Sequence, residues 1–239
     1  MPYKTHPVWK IEKLLFPVKC SQNLPHTNTT LLSHHIPKTA GSSLRVALER
    51  TLGRRHVYGI YENTGATEMS LGSDIWIPPR AKVLHGHFKP RPEHDKIFPF
   101  AQRTVWVRDP LERIWSLVGH LLELKERHPH YLLLKSSISN TSISSQERIV
   151  SELILNNAID AFTSVYSRFF DKVPISDFAF VGSKHRYKND LKKFAELAGV
   201  KLDVLQVNRR NKDVNKLPNT IRHLETYLQN EYEIVANYL

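Results

Sequence analysis

Leu31–Leu44, LLSHHIPKTAGSSL, reads as a strand that turns into a helix through a short polar loop. Thr30 to Ile36 mixes apolar and β-prone residues, and Pro37 disfavours helix at the residue before it. Gly41-Ser42-Ser43 then opens an amphipathic run carried by Leu44, Val46, Ala47 and Leu48. A helix start leaves about four backbone N–H groups unpaired and carries partial positive charge. The loop therefore offers an anion amides, hydroxyls and one ammonium, with Lys38, Thr39, Gly41, Ser42 and Ser43 as the residues such chemistry requires. The competing reading is an ordinary strand-to-helix turn whose Ser and Thr residues cap the helix. A Walker A loop would place lysine just after its second glycine, whereas Lys38 precedes the only glycine here, which weighs against a nucleotide triphosphatase.

Working outward, Arg55–Ile60 reads as a second strand, Tyr61–Pro79 as loop, and Arg80–Phe88 (RAKVLHGHF) as a third strand ending in polar residues. Gln102–Arg108 (QRTVWVR) is a further β-prone run. Asp109-Pro110 supplies an N-cap and first-turn proline for a helix with Leu111, Ile114, Trp115, Val118, Leu121 and Leu122 on its apolar face. That helix is expected to end by His128-Pro129. Ser136–Ser145 reads as a mobile polar linker, followed by helical runs from Gln146 to Phe170. Asp177–Gly182 reads as a buried strand and Tyr187–Ala198 as a helix closed by Gly199. A basic loop (Lys201–Asn215) and a final helix (Pro218–Leu239) complete the chain. Residues 1–27 form an irregular lead-in, with Trp9, Ile11, Leu14, Leu15 and Phe16 expected on a short helix packed at the domain edge. Residues 28–239 are read as one domain. Strands separated by helices predict a three-layer α/β fold, a central parallel sheet with helices on both faces. Ligands bind such sheets beyond the carboxyl ends of the strands, here His35-Ile36, His85-Gly86-His87, Arg108 and Gly182.

Composition narrows the function. With 239 residues and 41% hydrophobic content the chain can bury a full core. The single cysteine, Cys20, excludes an internal disulfide and any cysteine zinc cluster, and 13 histidines without an HExxH pair imply no metal. The balance of 34 Lys+Arg against 23 Asp+Glu, +11, favours an anionic partner. The charges are scattered and no nucleic-acid-binding signature occurs, so nucleic acid is not the expected partner. No apolar run approaches the roughly 18 residues of a membrane span, and the N-terminus lacks a signal-peptide core. A soluble cytoplasmic protein is the expectation, or a Golgi-lumenal one if an anchor has been removed. The sequons at Asn28 and Asn140 are discounted for want of a secretory signal.

Two further groups sit at strand ends. Arg108 is followed eight residues later by Ser116, off the apolar stripe, and an arginine fork with a nearby hydroxyl suits a phosphate dianion. Alternatively, Arg108 pairs with Asp109 or Glu112 and Ser116 is merely solvated. His85-Gly86-His87-Phe88 offers imidazoles, the usual group for removing a hydroxyl proton near neutral pH, although most histidines have no catalytic role.

HIPKTAGSSL at His35–Leu44 resembles the 5′-phosphosulfate loop of sulfotransferases that use 3′-phosphoadenylyl sulfate (PAPS), in the HxPKTAGTS form of Golgi carbohydrate enzymes and their bacterial relatives. Arg108–Ser116 resembles the family's RDPxxRxxS 3′-phosphate motif. HGHF resembles an element of the uronyl (heparan sulfate) 2-O-sulfotransferases, whose histidines are assigned to acceptor deprotonation. Phe180-Val181-Gly182 followed by Arg186, and Asn208-Arg209-Arg210, resemble later family elements. Trp106 departs from the usual aliphatic residue before RDP, and Tyr61–Pro79 and Glu123–Ser145 match no family pattern. The resemblance implies a P-loop-like α/β fold, PAPS as donor with 3′-phosphoadenosine 5′-phosphate as product, no metal, and a hydroxyl acceptor, a glycan by preference. It implies donor contacts from Pro37, Lys38, Thr39, Ala40, Gly41, Ser42, Ser43, Arg108, Ser116, Arg186 and Arg209. Lys38, His87 and His85 become the catalytic residues, with His87 placed ahead of His85 as base. The alternatives are a P-loop small-molecule kinase, opposed by the lysine position and the lack of a Walker B acid, and a non-catalytic nucleotide- or polyanion-binding module.

Overall fold

The computed structural model describes residues 6–139, 145–202 and 216–239; Arg209 and the Asn140 sequon lie outside them. Five strands, β1 (Leu31–His34), β2 (Val57–Ile60), β3 (Val83–Gly86), β4 (Gln102–Val107) and β5 (Phe180–Ser183), form one parallel sheet in the order β2-β3-β1-β4-β5. The helices are α1 (Pro7–Leu15), α2 (Gly41–Leu52), α3 (Ala66–Leu71), α4 (His94–Ile97), α5 (Pro110–Leu124), α6 (Pro129–Ser137), α7 (Gln146–Leu155), α8 (Asp160–Thr163), α9 (Val165–Phe169), α10 (Tyr187–Leu197) and α11 (Gln229–Val235). The described residues fall into two compact units, one of residues 6–107 and 169–202, the other of residues 108–139, 145–168 and 216–237.

The first unit contains the sheet. Strand alternation sends Leu31, Val57 and Val83 to one face, where they pack with Leu44 and Leu48 of α2 and Leu191 and Phe194 of α10. Leu32, Tyr58 and Leu84 point to the other face, against Trp9 of α1, Met69 of α3 and Ile97 of α4. Both faces are covered, as a parallel sheet requires. Each fully buried leucine contributes roughly 1.5–3 kcal/mol through area removed from water. β1 is central, and the connections leave it and β4 in opposite directions, so the loop after β1 lies at the switch point where open α/β sheets bind ligands. Gly86 permits the close β2–β3 approach: a Cβ there would lie 1.7 Å from the Ile60 carbonyl oxygen.

The second unit is helical. Leu111, Ile114, Val118 and Leu121 of α5 pack with Ile149, Val150 and Leu153 of α7 and with Ile221, Leu224 and Leu228.

Four expectations are corrected. Of the apolar residues on the lead-in helix only Trp9 is buried, while Ile11, Leu14, Leu15 and Phe16 are exposed. α5 ends at Leu124, before His128-Pro129 as expected, and Pro129 begins a new helix because its fixed φ suits a first turn capped by His128, whose Nδ1 accepts from the His130 N–H. That helix carries Ser136 and Ser137, expected in the linker, because Tyr131 and Leu134 anchor it in the helical core. The strand expected from Asp177 begins at Phe180, after a 3-10 turn over Ile175–Asp177. The terminal helix is wound as 3-10 over Asn219–Leu228 before α11, with Ile221 and Leu224 superposed by their three-residue spacing.

Candidate functional site

The loop after β1 is held open in an unusual backbone. Lys38 and Ala40 have φ of 74° and 83°, the left-handed region, with Thr39 between them on the negative side. Such alternation turns successive amides toward one concavity, a nest for anions. Each non-glycine residue there costs on the order of 1 kcal/mol or more. The N-cap of α2 is Ala40, with no side-chain capping bond, so the Ser and Thr residues do not act as the cap. The Thr39 hydroxyl instead donates to the Ile36 carbonyl at 2.7 Å and ties the loop to β1. Among the described residues, the amides of Thr39, Ala40, Gly41 and Ser42 donate to no backbone carbonyl, whereas Ser43 and Leu44 donate to Ala40. Lys38 is half-buried, Pro37 and Ser42 are exposed, and Thr39, Gly41 and Ser43 are buried.

Beside this loop stands a row of imidazoles. Period-two alternation puts Ser33 and His35 of the first chain segment, and His85 and His87 of the third, on the α2 face of the sheet. Ser33 pairs in register with His85, and the Ser33 hydroxyl lies 2.9 Å from His85 Nδ1. Sheet bonding continues past the strand ends: the His35 amide donates to Gly86 and the His87 amide to Ile60. The His35 ring lies 5.2 Å from that of His85 and 4.6 Å from that of His87; Tyr61 meets His87 edge-on at 5.0 Å. The Arg45 guanidinium, from α2, sits 5.7 Å from the Tyr61 ring centre. A Cβ on Gly41 would come within 2.1 Å of the His35 ring, so the glycine opening α2 is also the surface against which that ring packs.

Burial sets the charge states. His85 is fully buried and its imidazole is pushed down to about 3, by desolvation first and then by Arg45 and His87. Burial also drives His35 well below the usual histidine range, helped by His87, His85, Arg45 and Lys38. Both are neutral at physiological pH, and His35 Nδ1 and His85 Nε2 are buried without a hydrogen-bond partner among the described residues. His87 is exposed. Burial raises the Tyr61 phenol, opposed by Arg45.

In the second unit, Arg108 is buried and its Nε and Nη2 both reach Glu112 Oε2 at 3.2 Å, the internal pairing weighed in the sequence. Its backbone is clamped by one phenol: the Arg108 N–H donates to Tyr166 Oη at 2.9 Å, and the Tyr166 hydroxyl donates to the Arg108 carbonyl at 2.6 Å. Glu231 in turn accepts the Tyr166 and Ser167 amides. Asp109 caps α5, accepting from the Glu112 amide, and also accepts from the Tyr232 hydroxyl. Ser116 is half-buried and falls on the helix side of Glu112, four residues on. Arg113 is buried, with Nη2 donating to the Phe162 carbonyl.

Arg186, in the first unit, is exposed; Nη2 donates to the Tyr238 carbonyl at 3.0 Å and Nε lies 3.6 Å from Asp190. Among the described residues, no group of three or more His, Cys, Asp or Glu side chains is arranged to hold a metal ion.

No family model matches the chain, and no curated protein matches it. One similar solved structure is a sulfotransferase from Alicyclobacillus acidocaldarius, at 15% identity and a TM-score of 0.47 over 88% of this chain and 95% of that one.

Sequence reasoning missed Ser33, His35, Arg45 and Tyr61 as site residues. The signal for the first two was present, since they share the odd-numbered strand face that also carries His85 and His87. Arg45 and Tyr61 gave none, because their meeting depends on how α2 crosses the end of β2.

Proposed function

We propose that this chain is a sulfotransferase moving a sulfuryl group from PAPS to a hydroxyl acceptor, with a carbohydrate as the acceptor class. The observation that carries the reading is the loop from Pro37 to Ser43. It spends backbone strain at Lys38 and Ala40 to leave four amides without backbone partners at a helix N-terminus, beside a lysine. That donor set fits a 5′-phosphosulfate.

In this reading Lys38 and the amides of Thr39 to Ser43 hold the phosphosulfate and stabilise charge on the bridging oxygen as its bond to sulfur breaks. Arg108 and Ser116 take the role of holding the donor's 3′-phosphate, and Arg186 and Arg209 that of further donor contacts, as the resemblance implies. His87 takes the acceptor's hydroxyl proton while the acceptor oxygen forms its bond to sulfur. The electron pair of the broken sulfur–oxygen bond stays with the phosphate of 3′-phosphoadenosine 5′-phosphate. His85 is a poor base because burial resists its protonation; it positions the row by its bond to Ser33. The rate enhancement then rests on positioning and fixed electrostatics.

Calorimetric titration with 3′-phosphoadenosine 5′-phosphate, and in parallel with ATP and magnesium, tests this on wild type and Arg108→Ala. Metal-independent binding of the bisphosphate that weakens about 10- to 100-fold in the variant is expected. Preference for ATP with magnesium turns the assignment to a kinase. No nucleotide binding by folded protein turns it to a module for some other polyanion.

A further inference from the structure

The segment from Lys10 to Lys19, KIEKLLFPVK, has no part in the site described above, yet the fold fixes it firmly. Trp9 is buried edge-on to Tyr58 at 4.8 Å; the Phe16 carbonyl accepts from Trp76 Nε1 at 2.7 Å; Cys20 and Ile75 exchange both backbone bonds. Between these anchors Ile11, Leu14, Leu15, Phe16 and Val18 are each more than half exposed, Leu14 at 83%. Scattered apolar residues on a surface are ordinary; five within eight positions of one anchored segment mark a docking face.

Charge decides what docks. Lys10 and Lys19 are exposed beside the apolar residues, and Lys13, also exposed, holds its ammonium 5.7 Å from the centre of the Trp76 ring. The only acid of the segment, Glu12, is turned inward, its side chain 13% exposed and 4.0 Å from Arg80. The outward face is therefore apolar and cationic, the composition of a segment that lies in a membrane interface. A second copy would bring the same lysines of two chains of net charge +11 together across a self-complementary contact, which disfavours self-association. No helix among the described residues is long and apolar enough to cross a membrane, so the contact is peripheral.

We infer that the Lys10–Lys19 segment docks the protein on an anionic lipid surface, with Leu14, Leu15 and Phe16 entering the acyl boundary and the lysines meeting the headgroups. This goes beyond the proposed reaction and does not depend on it.

Vesicle co-sedimentation tests it, using phosphatidylcholine alone and phosphatidylcholine with about 30% phosphatidylserine. Wild type is expected to pellet with the anionic vesicles and not with the neutral ones. Lys10→Gln/Lys19→Gln should lower the partition coefficient roughly 30-fold, and Leu14→Glu/Phe16→Glu more than ~10-fold. The substituted side chains are exposed, and circular dichroism checks that both variants keep the wild-type fold. No pelleting of wild type with anionic vesicles overturns the inference. So does equal pelleting of Leu14→Glu/Phe16→Glu, which would mean diffuse charge adhesion. Light scattering that shows a wild-type dimer made monomeric by Leu14→Glu/Phe16→Glu would assign the face to a second copy instead.

Discussion

Acidification should unfold the sheet-bearing unit well before its carboxylates protonate, because its buried histidines are held neutral. His85 is pushed down to about 3 and His94 to about 4, in both cases by burial first, and both side chains are fully inaccessible. His94 is also committed as a neutral ring, with Nε2 2.9 Å from the Met69 carbonyl and Nδ1 facing the Arg91 amide. In the unfolded chain each takes up a proton near pH 6.5. The native state therefore has full stability above that pH. It loses stability as the pH falls from about 6.5 toward the two folded values, at about 1.4 kcal/mol per pH unit for each histidine. Between about pH 8 and about pH 5 the two together remove roughly 4 kcal/mol, a large share of the 5–15 kcal/mol typical of a domain. His34 and His35, also driven down by burial, add loss of the same sign. Urea unfolding followed by tryptophan fluorescence reads this unit, since Trp9, Trp76 and Trp106 lie in it and only Trp115 in the other. His94→Gln should shrink the pH dependence by roughly 2 kcal/mol, whatever it does to absolute stability. Stability equal at the two pH values, or an undiminished slope in His94→Gln, would refute the reasoning.

Gly86→Ala should cost about 4 kcal/mol or prevent folding, because the new Cβ meets the Ile60 carbonyl at 1.7 Å and backbone must move; soluble yield and urea midpoint check it. Tyr166→Phe leaves the buried Arg108 amide and carbonyl without their shared phenol and should lower stability by about 1–3 kcal/mol in urea titration. On the proposed reaction, His87→Ala should reduce kcat about 10²- to 10⁴-fold with donor affinity unchanged. Near-normal turnover in that variant would remove the base assignment. Lys38→Ala should likewise lower kcat by about 10²-fold or more, with a smaller effect on donor affinity in calorimetry.

Much was legible because it is local. The run from Leu31 to Leu44 encodes strand, loop and helix through β-prone residues, one proline and one glycine, and the parallel α/β architecture follows from strands separated by helices. The alternation that sets Ser33 and His35, and His85 and His87, on one face is equally local. Other features needed the fold. The order β2-β3-β1 puts β3 beside β1 and brings four polar side chains into one row, and no neighbour in the chain specifies that pairing. The left-handed backbone at Lys38 and Ala40 is imposed from outside, since neither residue prefers it. Which histidine is exposed, and whether Arg108 meets Glu112 or Asp109, depends on packing by residues distant in sequence. So does the lead-in helix, whose Ile11, Leu14, Leu15 and Phe16 read as a packed face but are exposed in the folded chain. Periodicity and turn chemistry are properties of a few adjacent residues, whereas burial and partnership are sums over contacts that exist only once the chain has closed on itself.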